Sequence, residues 1–211
     1  MAAGSRGKFI TVEGQDGAGK TTNLDRIERL VRGSGRQVLR TREPGGTDLG
    51  NEIRRLVLHG KDLQIDAMAE LLLIFAARAQ HLSEVIIPAL DAGVWIVCDR
   101  FTDATYAYQG GGRGVDAAVI AELEQRVQGD LRPDLTLLFD VDIATGEMRA
   151  GERGERDRFE SEAAAFKQRV RQVYLARAKA EPKRIRIIDA ARSLQEVEQE
   201  VESVLRDFID S

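Results

Sequence analysis

The sequence predicts an α/β fold built on a parallel sheet with right-handed crossovers. Two observations carry this expectation. Short apolar runs at 8–13, 37–42, 94–99, 135–140 and 184–189 alternate with longer stretches of helical period, the order that βαβ units produce. The third and fourth runs, Val-Trp-Ile-Val-Cys and Leu-Thr-Leu-Leu-Phe, are nearly continuous in apolar residues, as strands covered on both faces are.

The elements follow in order. Strand 8–13 leads to a helical pattern at 21–32, where Leu24, Ile27, Leu30 and Val31 share one face. Strand 37–42 runs into an irregular stretch at 43–50, rich in the glycine and proline of turns. A long apolar helical pattern covers 68–90 and is interrupted late by Pro88. After strand 94–99 comes a second irregular stretch, 108–114, reading Tyr-Gln-Gly-Gly-Gly-Arg-Gly. Helical patterns at 116–128, 143–149, 161–179 and 193–208, with the two remaining strands, complete the chain. There is no internal repeat, low-complexity tract or linker, so 1–211 reads as a single domain.

Composition narrows the partners. The chain is 43% hydrophobic and 31% charged, as soluble globular proteins are. Its 31 basic and 35 acidic residues leave a net charge of -4, which argues against a duplex nucleic-acid partner. The lone Cys98 sits in an apolar run and reads as an inert core residue of a reducing compartment. The first residues lack an apolar signal-peptide region, and no stretch of eighteen apolar residues exists. No membrane span is expected, and the cytoplasm is the expected setting. His59 and His81 have no Cys/His partners nearby in sequence, so no zinc site is expected.

One string carries chemistry. Gly14-Gln-Asp-Gly-Ala-Gly-Lys-Thr21 satisfies G-x-x-x-x-G-K-[ST]. By chance this would arise roughly once in a hundred chains of this length at ordinary glycine frequency. Here a strand precedes it and an amphipathic helix follows it, as phosphate binding requires. Gly14, Gln15, Asp16, Gly17, Ala18 and Gly19 would turn their N–H groups toward phosphate oxygens. Lys20 would reach the β- and γ-phosphates of a nucleoside triphosphate, and the Thr21 hydroxyl would ligate Mg²⁺. Asp99, at the end of a buried strand, suits a contact to Mg²⁺ or its waters, or else simply pairs with Arg100. The guanine-binding string Asn-Lys-x-Asp is missing from the sequence, which argues against a GTP switch module.

Several blocks together resemble the bacterial thymidylate kinases, which phosphorylate dTMP to dTDP with ATP. They are 13–22 around the phosphate loop, Thr41-Arg-Glu-Pro-Gly-Gly-Thr47, Phe75-Ala-Ala-Arg-Ala-Gln80, Asp99-Arg100, Ala107-Tyr-Gln-Gly-Gly-Gly-Arg-Gly114 and Arg132-Pro-Asp-Leu-Thr-Leu-Leu-Phe-Asp140. The resemblance implies a three-layer sandwich of the P-loop NTPase type, with a five-stranded parallel sheet, a homodimer and Mg²⁺-ATP as donor. It also implies roles. Arg100 would hold the acceptor phosphate, where its planar fork has no equivalent in lysine. Asp16 would accept a hydrogen bond from the sugar 3′-hydroxyl and touch Mg²⁺ through water. Arg78 would donate to thymine O4, with an aromatic stacked on the base. The family often places that aromatic four residues before the arginine, where this chain has Ile74, so the stack falls on Phe75 or Ile74. Thr105 and Gln109 would read the imide edge, and Tyr108 would disfavour a ribose 2′-hydroxyl. Pro44 would shape a wall of the acceptor site, and Arg42 would contact phosphate or pair with Glu43. Two alternatives stay open: another kinase of the same class, or a non-catalytic nucleotide-binding module.

Arg149, Arg153, Arg156 and Arg158 crowd one short segment, interleaved with Glu152, Glu155 and Asp157. It reads either as a solvated charged loop or as a lid at about 147–160 that closes over ATP. The resemblance favours the lid. Some family members carry an arginine in the phosphate loop directly after the Asp, where this chain has Gly17. The missing cation would then come from the lid, with Arg153 reaching the transferring phosphate and Arg149 packing near the donor.

Overall fold

The computed structural model describes residues 6–59, 63–151 and 157–210. Five strands, β1 (Phe9–Gly14), β2 (Val38–Arg42), β3 (Trp95–Asp99), β4 (Leu135–Asp140) and β5 (Ile185–Asp189), form one parallel sheet ordered β2-β3-β1-β4-β5. Each lies within one residue of its expected bounds. The helices are α1 (Lys20–Gly33), α2 (Asp48–His59), α3 (Ala67–His81), α4 (Ile87–Asp91), α5 (Thr102–Thr105), α6 (Ala117–Gln128), α7 (Ile143–Gly151), α8 (Ala164–Ala180) and α9 (Leu194–Ile209). Two π-helical turns, π1 (Leu82–Ile86) and π2 (Tyr106–Gly112), continue α3 and α5.

Period-two alternation sorts the strand side chains into two layers. Ile10, Val12, Trp95, Val97, Leu135, Leu137 and Phe139 pack with Leu24, Ile27 and Val31 of α1 and with Val197, Val201 and Leu205 of α9. On the other face, Phe9, Ile96 and Cys98 meet Leu82, Ile86 and Leu90. Leu138 and Ile185 meet Phe166, Val170, Tyr174 and Ala178 of α8. Thr11 and Thr136 share that second face and close on each other with a 2.7 Å hydrogen bond. The outer strands β2 and β5 are only partly buried. All five strands therefore deliver their carboxyl ends to one side, the place where such sheets bind ligands.

Two stretches expected to be irregular are so only in part: 43–47 is irregular but α2 begins at Asp48, and π2 takes in 108–112, leaving Arg113 and Gly114 outside it. Thr47 starts α2: its hydroxyl accepts from the Gly50 N–H at 3.0 Å, and its carbonyl accepts from Asn51 at 2.8 Å. Ile53, Val57 and Leu58 then bury one face. The glycines before and inside this segment masked the helix. Likewise π2 runs through Gly110, Gly111 and Gly112. Those glycines serve close packing, not turning: a Cβ on Gly112 would collide with the Phe166 ring, and one on Gly111 would meet the Arg169 carbonyl at 2.9 Å. Arg169 caps the turn by donating to the carbonyls of Gly111 and Gly112 at 2.9 and 2.8 Å.

The run from α3 through π1 to α4 is continuous. Pro88 has no N–H, and in a regular helix its ring would press on the carbonyl of Glu84; the wider π turn just before it makes room. By length and composition Ala67–Asp91 could cross a membrane. Within this fold it is a core helix, because Glu70, Arg78 and His81 are all buried in it and all paired.

Candidate active site

β1 ends at Gly14 and α1 begins at Lys20, with the glycine-rich loop between them. Among the described residues no side chain caps α1, which leaves its first N–H groups for an anion. Gly17 and Gly19 both take left-handed backbone, φ 80° and 81°. Gly17 also lies against α7, where a Cβ would strike the Gly146 carbonyl. Lys20 Nζ donates to the carbonyls of Gly14 at 2.8 Å and Gln15 at 2.7 Å, and lies 3.9 Å from Asp16 Oδ1. Burial, with the charge of Arg100 second, lowers its ammonium to about 8. Thr21 lines the cleft. Ala18 is packed into the core, and the Gln15 amide donates to the Lys167 carbonyl of α8.

β3 ends beside this loop. One oxygen of Asp99, Oδ1, is buried with no hydrogen-bond partner among the described residues. A buried carboxylate oxygen without a donor is costly and is suited to a cation or its water. Among the described residues, Arg100 is the one non-glycine with positive φ, 68°, a conformation that costs about 1–2 kcal/mol. Hydrogen bonds hold the turn on both sides. Arg100 N–H donates to Val12 O at 2.9 Å, and Phe101 N–H donates to Glu13 Oε1 at 2.7 Å. Glu13 Oε2 also accepts from Tyr174 at 2.8 Å. Burial, then the charge of Asp103, pushes the Glu13 carboxyl up to about 8. The strained turn aims Arg100 back over the loop, where it donates to Asp16 Oδ1 at 2.7 Å and lies 4.6 Å from the Tyr108 ring centre.

A cleft with an empty volume of ≈ 980 Å³ runs from Lys20, Thr21 and Asp99 to Arg78, Thr105 and Gln109. At its far end Arg78, 1% exposed, donates to Glu43 Oε2 at 2.7 Å and to Thr105 Oγ1 at 2.9 Å. His81 Nδ1 lies 3.0 Å from Glu43 Oε1, and its Nε2 lies 2.6 Å from Thr41 Oγ1. His81, expected to be isolated, is thus a buried strut. Tyr108 is buried on the cleft wall with its hydroxyl 3.5 Å from Asp16 Oδ2. Burial pushes its phenol well above the usual range, so it stays neutral.

Two expectations need correction. Phe75 does not line the cleft: its ring packs with Leu71 and Ile120, while Ile74 faces the cleft. A residue three before Arg78 turns to the α6 side, and the residue four before it stays over the site. Glu43 does not pair with Arg42, because Arg78 and His81 occupy it; Arg42 is exposed and outside the cleft lining. Arg54, which the sequence reading missed along with α2, lines the cleft instead, anchored to Pro44 O at 3.0 Å. Burial, then the charges of Arg42 and Arg100, lowers its guanidinium, while Asp99 and Asp157 act in the opposite direction.

Arg153 and Arg156 lie outside the described residues. Arg158 is spent on structure: its N–H donates to Leu58 O at 3.1 Å, its Nε to Val57 O at 3.0 Å, and its fork pairs with Glu70. Lys167 ties both roots of the segment to α8, donating to Glu147 and to Glu160 O, each at 2.9 Å. Arg149 donates to Ala190 O at 2.7 Å and, with Ala18, Gly19, Thr22, Asn23, Arg192 and others, lines a second hollow on the outer side of the loop.

A family model described as thymidylate kinase matches residues 12–201. The chain is 57% identical to a thymidylate kinase of Pseudomonas syringae pv. tomato over 204 residues, covering 97% of each. It is 53% identical to one of Pseudomonas fluorescens with the same coverage. Among solved structures it is similar to a thymidylate kinase from Ehrlichia chaffeensis, with a TM-score of 0.76 and 36% identity over 95% of this chain and 99% of that one.

Proposed function

The chain belongs to the thymidylate kinase family, and from that premise we infer that it transfers the γ-phosphoryl group of ATP to dTMP, giving dTDP for dTTP synthesis. One observation carries the reading: a single cleft joins a phosphate loop, a cluster of cations and a polar end suited to a pyrimidine imide.

The chemistry needs no protein nucleophile. An oxygen of the dTMP phosphate attacks the γ-phosphorus in line, forming one P–O bond as the bond to the β-phosphate oxygen breaks and ADP leaves. The chain must bring two polyanions together and spread the charge of the transferring group. Lys20 and the N–H groups of 14–20 hold the donor phosphates; the carbonyls that Lys20 now contacts mark where it waits. Arg100 and Arg54 take the acceptor phosphate, their mutual repulsion relieved by its charge. Asp16 takes the sugar 3′-hydroxyl, and Tyr108, whose hydroxyl lies near that carboxylate, crowds the 2′ position. Ile74 covers the base while Arg78, Thr105 and Gln109 read its edge. The hollow at Arg149 suits the adenine of ATP.

The donor set fits Mg²⁺: Asp99 Oδ1 lacks a partner among the described residues, and Thr21 and Asp16 share its cleft. When bound with ATP, the ion would draw charge from the phosphate oxygens. We assign the remaining cation to the segment at about 147–160 acting as a lid, with Arg153 as the donor. We also read 1–211 as one catalytic domain that works in the cytoplasm, where ATP is made and used, and pairs as a homodimer. The dimer reading rests on an exposed apolar stripe along α3, Met68, Leu72, Ala76 and Ala79. Such a stripe suits helix packing across a twofold axis.

Incubation with Mg²⁺-ATP and, separately, dTMP, dUMP, dCMP, AMP and thymidine, following ADP release, tests the activity. A clear preference for dTMP is expected; equal turnover of the panel overturns the reading.

A further inference from the structure

Gln109 is 3% exposed, yet it lines the cleft. Its side-chain amide is tethered at one end. Nε2 donates to Glu70 Oε1 at 2.9 Å, a buried contact. A carboxylate can only accept, so the NH₂ end of Gln109 must face Glu70. The carbonyl end, Oε1, has no hydrogen bond among the described residues and is the end left for a ligand. Glu70 is itself held from several sides. It is fully buried; Arg113 Nε lies 3.3 Å from each of its oxygens, and Arg158 pairs with Oε2. Two guanidinium groups keep it charged and fixed, and the charge in turn fixes the amide.

We propose that Glu70 is a positioning residue that sets which end of the Gln109 amide meets the base, and so selects pyrimidines that carry a hydrogen on N3. An amide that offers only its carbonyl matches the N3–H of thymine and uracil. Cytosine offers an unprotonated N3 there, and two acceptors would face each other. A reversed amide would present NH₂, which repels an N3–H and matches cytosine. The selection therefore resides one residue behind the base-facing side chain. It rests on the dTMP kinase reading and on Gln109 as a base-facing residue.

Glu70→Gln tests this while preserving volume. In that variant the single remaining carbonyl is claimed by Arg158 and Arg113, so the new NH₂ group faces Gln109 and the Gln109 amide turns around. The ratio of kcat/KM for dTMP over dCMP is expected to fall by about tenfold, the worth of one hydrogen bond, mainly through KM for dTMP. The dTMP to dUMP ratio should hold, because both carry N3–H. Glu70→Asp, still acceptor-only, should keep the wild-type dTMP to dCMP ratio even if turnover drops. Equal losses of that ratio in both variants would make Glu70 merely structural and overturn the proposal, as would an unchanged ratio in Glu70→Gln. Gln109→Leu separates the premises: if it leaves the ratio intact, the base-reading role of Gln109 fails. Melting temperature and ATP affinity report folding of each variant. If Glu70→Gln does not fold, the wild-type chain still decides. The imino proton of bound dTMP labelled with ¹⁵N at N3 should show scalar coupling to the Gln109 side-chain carbonyl carbon, and coupling to any other carbonyl instead overturns the assignment.

Discussion

The guanidinium of Arg100 donates a 2.7 Å hydrogen bond to Asp16 Oδ1, tying the end of β3 to the phosphate loop that follows β1. The contact joins the residue proposed for the acceptor phosphate to the one proposed for the acceptor sugar. Backbone at φ 68°, hydrogen bonds from the turn to Val12 and Glu13 of β1, and the Tyr108 ring against it leave Arg100 little freedom. Such preorganisation favours a charged transition state.

Replacing Arg100 by Lys keeps the charge and loses the fork. We expect kcat to fall by about 10²–10³, the usual cost of removing a transition-state donor. Steady-state kinetics with dTMP and ATP check this, and near-normal turnover would remove Arg100 from the reaction.

Arg54 is expected to act on binding. Arg54→Ala should raise KM for dTMP about 10- to 100-fold, the range of a charge-assisted hydrogen bond, with ATP affinity unchanged. Loss of ATP affinity instead would place Arg54 on the donor side.

Lys20 gives a pH signature. Its ammonium titrates at about 8 in the free protein, and bound phosphates would stabilise the charged form. Binding therefore takes up a proton above pH 8. ATP affinity should be level from pH 7 to 8 and then weaken by up to about tenfold per pH unit. Calorimetric titration across pH 7–9.5 reads this, with Lys20→Met expected to bind weakly and without the slope. A wild-type affinity that is flat to pH 9.5 would contradict it.

Glu13 gives a stability signature. Its folded value is about 8, against an ordinary 4.5. The folded state thus holds a proton that the unfolded chain releases. That contribution is complete below about 4.5 and is lost as pH rises toward 8, at no more than roughly 1.4 kcal/mol per unit. Glu13→Gln mimics the protonated form. Its melting temperature relative to wild type should climb from pH 5 to 8 and level off above. A difference independent of pH would mean that Glu13 is ionised throughout.

Much of the site was legible because its chemistry is local in sequence. The phosphate loop has a spacing that the backbone itself requires, and apolar runs located all five strands. What escaped reading was set by packing between distant segments. Glycines at 45, 46 and 50 look like loop residues, so α2 and with it Arg54 were hidden. Gly110 to Gly112 look like a turn until α6 is seen against Gly110 and α8 against Gly111 and Gly112. The choice between Phe75 and Ile74 depended on where α6 sits, which periodicity in α3 alone does not encode. Glu43 was read beside its sequence neighbour Arg42, whereas its partners Arg78 and His81 are 35 and 38 positions away.

The contact between Gly17 and Gly146 also bears on how such an enzyme could change. An arginine at position 17 would put a cation in the loop, but its Cβ needs space that the α7 backbone occupies, and its φ of 80° resists any side chain. The substitution becomes tolerable only after α7 has shifted, and shifting α7 alone brings no compensating cation. A loop arginine and the lid arginine proposed above are thus separated by paired changes, since the loop side chain needs α7 to move first. Sequences using one solution would be kept from drifting gradually into the other.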